Sequence, residues 1–407
     1  MGHTAVVVGA GIGGLAAAVG LQRIGWEVAV VDRSPVLADA GAGISLAANG
    51  VRALDVLGVG TAVRAAGHGQ YTGGTRTPRG SWLARMDGAA LERALGSPIV
   101  GIPRAELHRL LREALTPGTL RTGVTAAAAE PLRGGRARVR FGGAQPVTAD
   151  DKGPQPAELP EALEADLVVA ADGIGSRLRT ALFPAHPGPV HSGSTVLRAI
   201  TDRPVDLRTD FEITWGRGAE FGHIAFADGR AEWHAVLNAP AGVRHADPLA
   251  VLRRRFARWH EPIPELLAAT LPEAVLHHDI AELATPLPSF VSGRVVLLGD
   301  AAHAMTPNLG QGACQALEDA VVLAAELDGA PDVDAALARY DAGRRPRTTA
   351  VAMAARRAGR MGQQLDHPLA VPLRNALLRL APSGVAVRAI LRHAAWNPPL
   401  TRSFSGE

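Results

Sequence analysis

A single cysteine in 407 residues, Cys314, leaves no pair for an internal disulfide. It suits a reducing compartment, so the expected location is the cytoplasm. There is one lysine, Lys152; all other fixed positive charge is arginine, and the formal net charge is only +3. No single-sign field dominates such a surface, which argues against a nucleic-acid partner. A long apolar span is also missing. The run "AVVVGAGIGGLAAAVGL" near the start is broken by Gly9, Gly11, Gly13, Gly14 and Gly20 and has no basic residues before it, so neither a signal peptide nor a membrane segment is expected. Internal repeats are absent, and with 47% hydrophobic residues the chain is too apolar to be disordered. Its length suits two domains, or one large α/β domain with an inserted sheet.

What is present begins with a strand at 5–8, a helix at 14–24 and a second strand at 27–31, a βαβ unit. Gly9, Gly11 and Gly14 form GxGxxG between the first strand and the helix, with Gly13 inside the motif. Such glycines permit a tight turn, admit a pyrophosphate to the backbone and let helix and strand pack closely, while the helix N-terminus favours negative charge. Asp32, followed by Arg33, ends the second strand, where an acid is expected to bind a ribose hydroxyl. Dinucleotide binding follows. Only one GxGxxG exists, so no separate nicotinamide-binding domain is expected.

Further along, "ISLAANGVRALDVLG" predicts a helix over 44–58, and 68–100 reads as turn-rich with short strands. A helix is expected over 104–115 and a strand over 137–141. The polar, proline-rich stretch 143–162 reads as a surface loop or hairpin tip. "DLVVAADGIGSRLR" is a strand running into a turn, 190–240 alternates like antiparallel strands, and the pattern turns helical from about 249. After 293 the strand–turn–helix returns as "RVVLLGDAAHAMTPNLGQGACQALEDA", and 333–395 is mostly helical, punctuated by prolines. The expected division is 1–70, 100–180 and 285–340 for a discontinuous dinucleotide-binding domain, 71–99 and 181–284 for a substrate-binding sheet, and 341–407 for a C-terminal helical segment.

That last strand–turn–helix closely resembles the flavin-ribityl motif of the class A FAD-dependent monooxygenases, the p-hydroxybenzoate hydroxylase-like family. "DLVVAADGIGSRLR" resembles the family's second, Asp-Gly motif, and "GAGISLAANGVRALDVLG" and "GIPRAELHRLL" match segments flanking its flavin site. The resemblance covers most of the chain. It implies an α/β fold with a Rossmann-like FAD-binding domain, an inserted antiparallel-sheet substrate domain and C-terminal helices. It also implies FAD as cofactor, NADH or NADPH as co-substrate, and an oxygen adduct at flavin C4a that hydroxylates a small aromatic, heteroaromatic or polyketide-type ring. Carried over by motif, Gly299 and Asp300 hold the ribityl or phosphate side, and Pro307 lies beside the isoalloxazine. Gly310, Gln311, Gly312 and Ala313 bring backbone N–H groups and a helix N-terminus towards the flavin's N1 and O2, where the reduced flavin is negative. Arg104 reaches the phosphate or ribityl side, Val124 gives a backbone contact to adenine, and Asp172 and Gly173 lie near both FAD and the nicotinamide donor.

The substrate side is thinner. Arg198 sits where many relatives place a strand arginine facing the flavin, to anchor substrate or polarise the oxygen adduct; a salt-bridged sheet arginine is the competing reading. His223 or His234 could deprotonate a phenol, and Trp215, His223, Phe226 and Trp233 lie on antiparallel strands that should roof the site, with alternation turning only some of them inward. His303 and Cys314 read as packing residues. With only Tyr71 and Tyr340 in the chain, a tyrosine-pair proton relay is not expected. Baeyer–Villiger insertion or epoxidation by the same adduct, a flavin reductase or halogenase-type protein, and a non-catalytic FAD-binding scaffold stay open as alternatives. Partners are a small-molecule substrate and O₂, with a monomer or homodimer expected.

Overall fold

A computed structural model describes residues 2–37, 42–142, 148–149, 160–381, 390–399 and 403. Most of the 143–162 loop expectation and part of the C-terminal segment lie outside the described residues. Thr4–Val8 is a run of small and β-branched residues, four of its five positions buried. That composition suits a strand covered on both faces. It pairs in parallel with Glu27–Val31 and with Leu167–Ala170, which pairs in turn with Val295–Leu297. These strands centre a seven-stranded sheet.

Across this sheet the helix Ile12–Arg23 packs on the helix Gly312–Leu327. Small residues set their approach: a Cβ on Gly13 would lie 3.1 Å from the Ala316 Cβ, and one on Gly20 would lie 3.2 Å from the Ala324 Cβ. Within the turn, Gly9 has φ +105°, and a Cβ on Gly14 would stand 1.9 Å from the Gly9 carbonyl oxygen. These two positions admit glycine alone.

A second seven-stranded sheet runs in the order Leu276–Glu282, Val190–Ile200, Ala231–Asn238, Ala219–Ala225, Phe211–Trp215, Gly73–Arg76, Trp82–Arg85. All neighbours are antiparallel except Phe211–Trp215 with Gly73–Arg76. Arg198, His234 and Gly222 stand in register on adjacent strands, so their side chains share one face. Glu232 on that face meets Gly43 of the strand Gly43–Leu46. The opposite face carries Leu197, Phe221, Trp233 and Ala235, which form a second core with Leu249, Leu252 and Phe256.

Three local expectations are corrected. The 44–58 segment is not one helix: Gly43–Leu46 is a strand paired with Ile99–Pro103, and the helix is Ala48–Val56. Pro346 does not interrupt its segment; Val333–Met361 runs through it as one helix. Gly88–Leu95 is a helix in the region read as turns and strands, capped by Asp87, which accepts from Ala90 N–H. The close Gly14–Gly9 approach gives a test. Gly14→Ala should lower stability by roughly 1–3 kcal/mol through forced backbone movement, read as a lower urea midpoint; an unchanged midpoint would contradict this packing.

Candidate functional site

The helix Ile12–Arg23 begins at Gly11 with no side-chain cap and no acid in its first turn. Its leading N–H groups have no intrahelical partner, and a Cβ on Gly11 would meet nothing within 4 Å. A bare helix start beside open space fits a pyrophosphate. Asp32 has a second task here: Oδ2 accepts from Ala10 N–H at 2.7 Å and Oδ1 from Ser34 N–H at 2.8 Å. It braces the turn with half its lone pairs and keeps others for a ribose hydroxyl. Val124 donates its N–H to the Asp32 carbonyl, so only its carbonyl is left for adenine. Arg33 is exposed, and so is Arg104, the first residue of the helix Arg104–Glu113.

Asp172 is engaged locally. Oδ1 accepts from the Ser176 hydroxyl at 2.5 Å and Oδ2 from Arg177 N–H at 2.9 Å, holding the start of the helix Arg177–Leu182. Next to it Gly173 has φ +80° and open space where a Cβ would stand. The face this turn offers is therefore backbone.

The segment 299–313 is buried except along one edge. Asp300, Pro307 and Gly310 are exposed and Gly312 and Ala313 half-buried, while Ala301, Ala302, His303 and Gln311 are buried. Cβ atoms on Gly310 and Gly312 would meet nothing. Gly312–Leu327 starts with no acid in its first turn and no side-chain cap, giving a second bare helix N-terminus. Gln311 turns its side chain inward, where Oε1 accepts from Asn49 at 2.9 Å and from Gln315 at 3.0 Å, leaving only backbone for a cofactor. Gly13 also contributes through size, packed against Leu298 and Ala316. Two uncapped helix starts and a row of open-sided glycines, joined by one exposed edge, fit FAD.

Behind that edge lies a buried ionic cluster. Asp319 accepts from Arg344 Nε at 2.6 Å, from His303 Nε2 at 2.5 Å and from Gly299 N–H at 3.0 Å. Glu318 accepts from Arg344, Arg347 and Asn49. Burial raises the Asp319 pKa, but His303 and Arg344 outweigh it and hold the carboxyl well below the usual carboxylate range. His303 thus supports the loop as a structural residue. Burial, aided by the Glu318 charge, pushes the Cys314 thiol up to about 12, consistent with an inert core residue. Asn49, Glu318, Asp319 and Arg344 went unassigned in the sequence reading; the signal available was acids in an otherwise apolar helix and arginines in the next.

On the sheet face towards Gly43, Arg198 has a buried Nε without a hydrogen-bond partner among the described residues, and Arg104 and Glu232 are its charged neighbours. Burial lowers its pKa. One strand over, His234 Nδ1 lies 3.2 Å from Glu232 Oε2, and its Nε2 lies 3.9 Å from Glu220 Oε1. Burial opposes protonation of His234, but Glu232 and Glu220 outweigh it and raise the pKa. Trp215 joins this face, donating to Glu220 at 2.7 Å and lying against Gly362 at the end of the long helix. Asn308, beside Pro307, donates to Gln363 at 2.9 Å.

His223 is corrected. It pairs across strands with Trp233 and Glu212 and belongs to the opposite face. Fully buried beside Thr209, its pKa is pushed down to about 4 by burial, so it cannot serve the site that Arg198 and His234 share. Trp233 leaves the roof for the same reason: it is stacked on Phe221 and donates to Thr270. Strand alternation allows either parity, and the apolar partners on both faces hid which was which.

Removing one member of the ionic cluster leaves its partner buried and unpaired. Asp319→Asn should cost about 3–5 kcal/mol and weaken FAD retention, checked by thermal unfolding and by flavin released on gel filtration. A native melting temperature with full flavin content would contradict the cluster's role.

The model of the FAD binding domain family matches residues 3–355. Aurachin C monooxygenase/isomerase of Stigmatella aurantiaca is 38% identical over 399 residues, covering 98% of this chain and 99% of that protein. A 3-amino-4-hydroxybenzoate 2-monooxygenase of Streptomyces platensis is 36% identical over 380 residues, 89% of each. Among solved structures, Klebsiella pneumoniae HpxO complexed with FAD and uric acid superposes with a TM-score of 0.85 at 27% identity over 97% of each chain. No described helix is long and apolar enough to cross a membrane. The chain belongs to the class A, p-hydroxybenzoate hydroxylase-like family and is an FAD-dependent monooxygenase.

Proposed function

We propose that this monooxygenase hydroxylates an electron-rich aromatic or heteroaromatic ring carrying an ionisable O–H or N–H, and that His234 removes that proton. The observation that carries this reading is His234 held between Glu232 and Glu220 on the sheet face shared with Arg198. The relatives' named substrates, aurachin C and 3-amino-4-hydroxybenzoate, are compatible with it. Bound FAD supplies the redox chemistry, taking hydride from NADH or NADPH and activating O₂.

The chain's own part is positioning and proton handling. Glu232 accepts from His234 Nδ1–H, which fixes the tautomer and leaves the Nε2 lone pair free to take a proton. Removing it raises electron density on the ring and favours electrophilic attack by oxygen. Glu220, fixed by the Trp215 indole, stabilises the resulting imidazolium. Arg198 steadies negative charge on the substrate, and Pro307 walls the site beside the ring and keeps it dry. The N–H groups of Gly310, Gln311, Gly312 and Ala313 would stabilise negative charge on the reduced cofactor. Gly9, Gly11, Gly14, Arg33 and Arg104 would hold its phosphates, Asp32 and Asp300 its hydroxyls, Val124 its adenine, and the Asp172–Gly173 and Gly299 turns its edges. The strand-paired segments 71–99 and 181–284 form the substrate side, and the enzyme works in the cytoplasm as a monomer or homodimer.

Anaerobic stopped-flow reduction by NADH and NADPH, with a panel of phenolic and heteroaromatic acids, tests this reading. One compound should raise the reduction rate severalfold, and NMR of the aerobic product should show a ring hydroxyl. With that compound kcat/KM should rise with pH through a limb above about 6.5, and the limb should vanish in His234→Gln. A limb unchanged in that variant would remove His234 as the base.

A further inference from the structure

A second cavity, of about 250 Å³, opens on another side of the Pro307 loop. His191, Ser192, Glu282, Thr306, Arg356 and Arg360 line it, and none of Arg198, Glu220, His234 or Trp215 does. Four side-chain atoms there, His191 Nε2, Ser192 Oγ, Glu282 Oε2 and Thr306 Oγ1, are buried without a hydrogen-bond partner among the described residues. Glu282 and Thr306 are only 5% and 4% exposed. An unmet buried polar atom is costly. All four belong to residues that line this one cavity, which marks its wall as a place with unmet polar capacity.

Their chemistry narrows the occupant. His191 Nδ1 accepts from Gly193 N–H at 3.1 Å, so its proton sits on Nε2, a donor without a partner among the described residues in the cavity wall. The Ser192 and Thr306 hydroxyls can donate as well. Glu282 Oε1 accepts from Arg356 Nε at 2.8 Å, which cancels that pair of charges and leaves Oε2 as an acceptor. Arg360 forms no ion pair among the described residues, so the cavity is left with one surplus positive charge. One negative group facing several donors, plus one donor of its own for Glu282, describes the complementary ligand. The volume lies below the ~300–1,000 Å³ of sites for drug-sized molecules.

We propose that this cavity binds a small monocarboxylate that also carries a hydroxyl or amino group, at a site distinct from the ring-binding face. The carboxylate lies towards Arg360, His191 and Ser192, and the hydroxyl or amino hydrogen is given to Glu282. Through Thr306 the ligand braces the residue that precedes Pro307.

Isothermal titration of the FAD-loaded enzyme with 3-hydroxybutyrate, without ring substrate, tests the proposal, using butyrate and 3-hydroxybutanamide as controls. Saturable one-to-one binding is expected, at least tenfold weaker for each control. Arg360→Leu and Thr306→Val should each weaken it tenfold or more while keeping the flavin absorbance spectrum, and His234→Gln should leave it unchanged. Absence of binding would mean that water alone fills the cavity and would overturn the proposal. So would equal binding of butyrate, or binding lost in His234→Gln and kept in Arg360→Leu, which would move the ligand to the ring-binding face and leave the hydroxylase reading intact.

Discussion

The flavin loop depends on Arg344 being buried between Asp319 and Glu318. Burial alone would lower the arginine's pKa, yet the two carboxylates outweigh it and keep the guanidinium charged. A buried ion pair need not add stability over an apolar one, but it penalises every arrangement in which a partner is missing. Asp319 passes this constraint to Gly299 and His303, and Glu318 passes it through Asn49 to Gln311. A loop of glycines and a proline, with little intrinsic preference for one shape, is fixed from below by charges that never reach the surface.

The substrate face obeys a different logic. The large sheet separates two environments, an aliphatic and aromatic core against the helix Pro248–Phe256 and a polar face against Gly43–Leu46. Glu220 and Glu232 are buried there with the half-buried His234 between them, and paired acids of this kind are tolerated out of water. Their location on central strands gives them the rigidity that proton transfer requires.

Much of the dinucleotide side was legible because its physics is local. GxGxxG, the bare helix start and the Gly-Asp turn are backbone requirements, written into consecutive residues. Asp32 and Asp172 were found by position, but their hydrogen bonds to Ala10, Ser34, Ser176 and Arg177 depend on how the turns close. His223 and His234 could not be ranked from sequence, since both lie on alternating strands with hydrophobic neighbours. Only the register between strands decides which histidine meets the strand Gly43–Leu46. The Arg344 cluster was invisible for a similar reason: its bonded partners on different helices are 16 to 29 residues apart or further and meet only when four helices pack.

The contact of Gly13 and Gly20 with Ala316 and Ala324 carries a consequence for the cofactor. One of these helices starts at the GxGxxG turn and the other beyond the Pro307 loop, so the depth to which they nest sets the distance between the two starts. A stripe of four small residues packed between the two helices acts as the gauge for a cofactor that must reach both. A methyl group added at Gly20 would spread the two starts apart, and every direct contact could then be chemically intact yet misplaced.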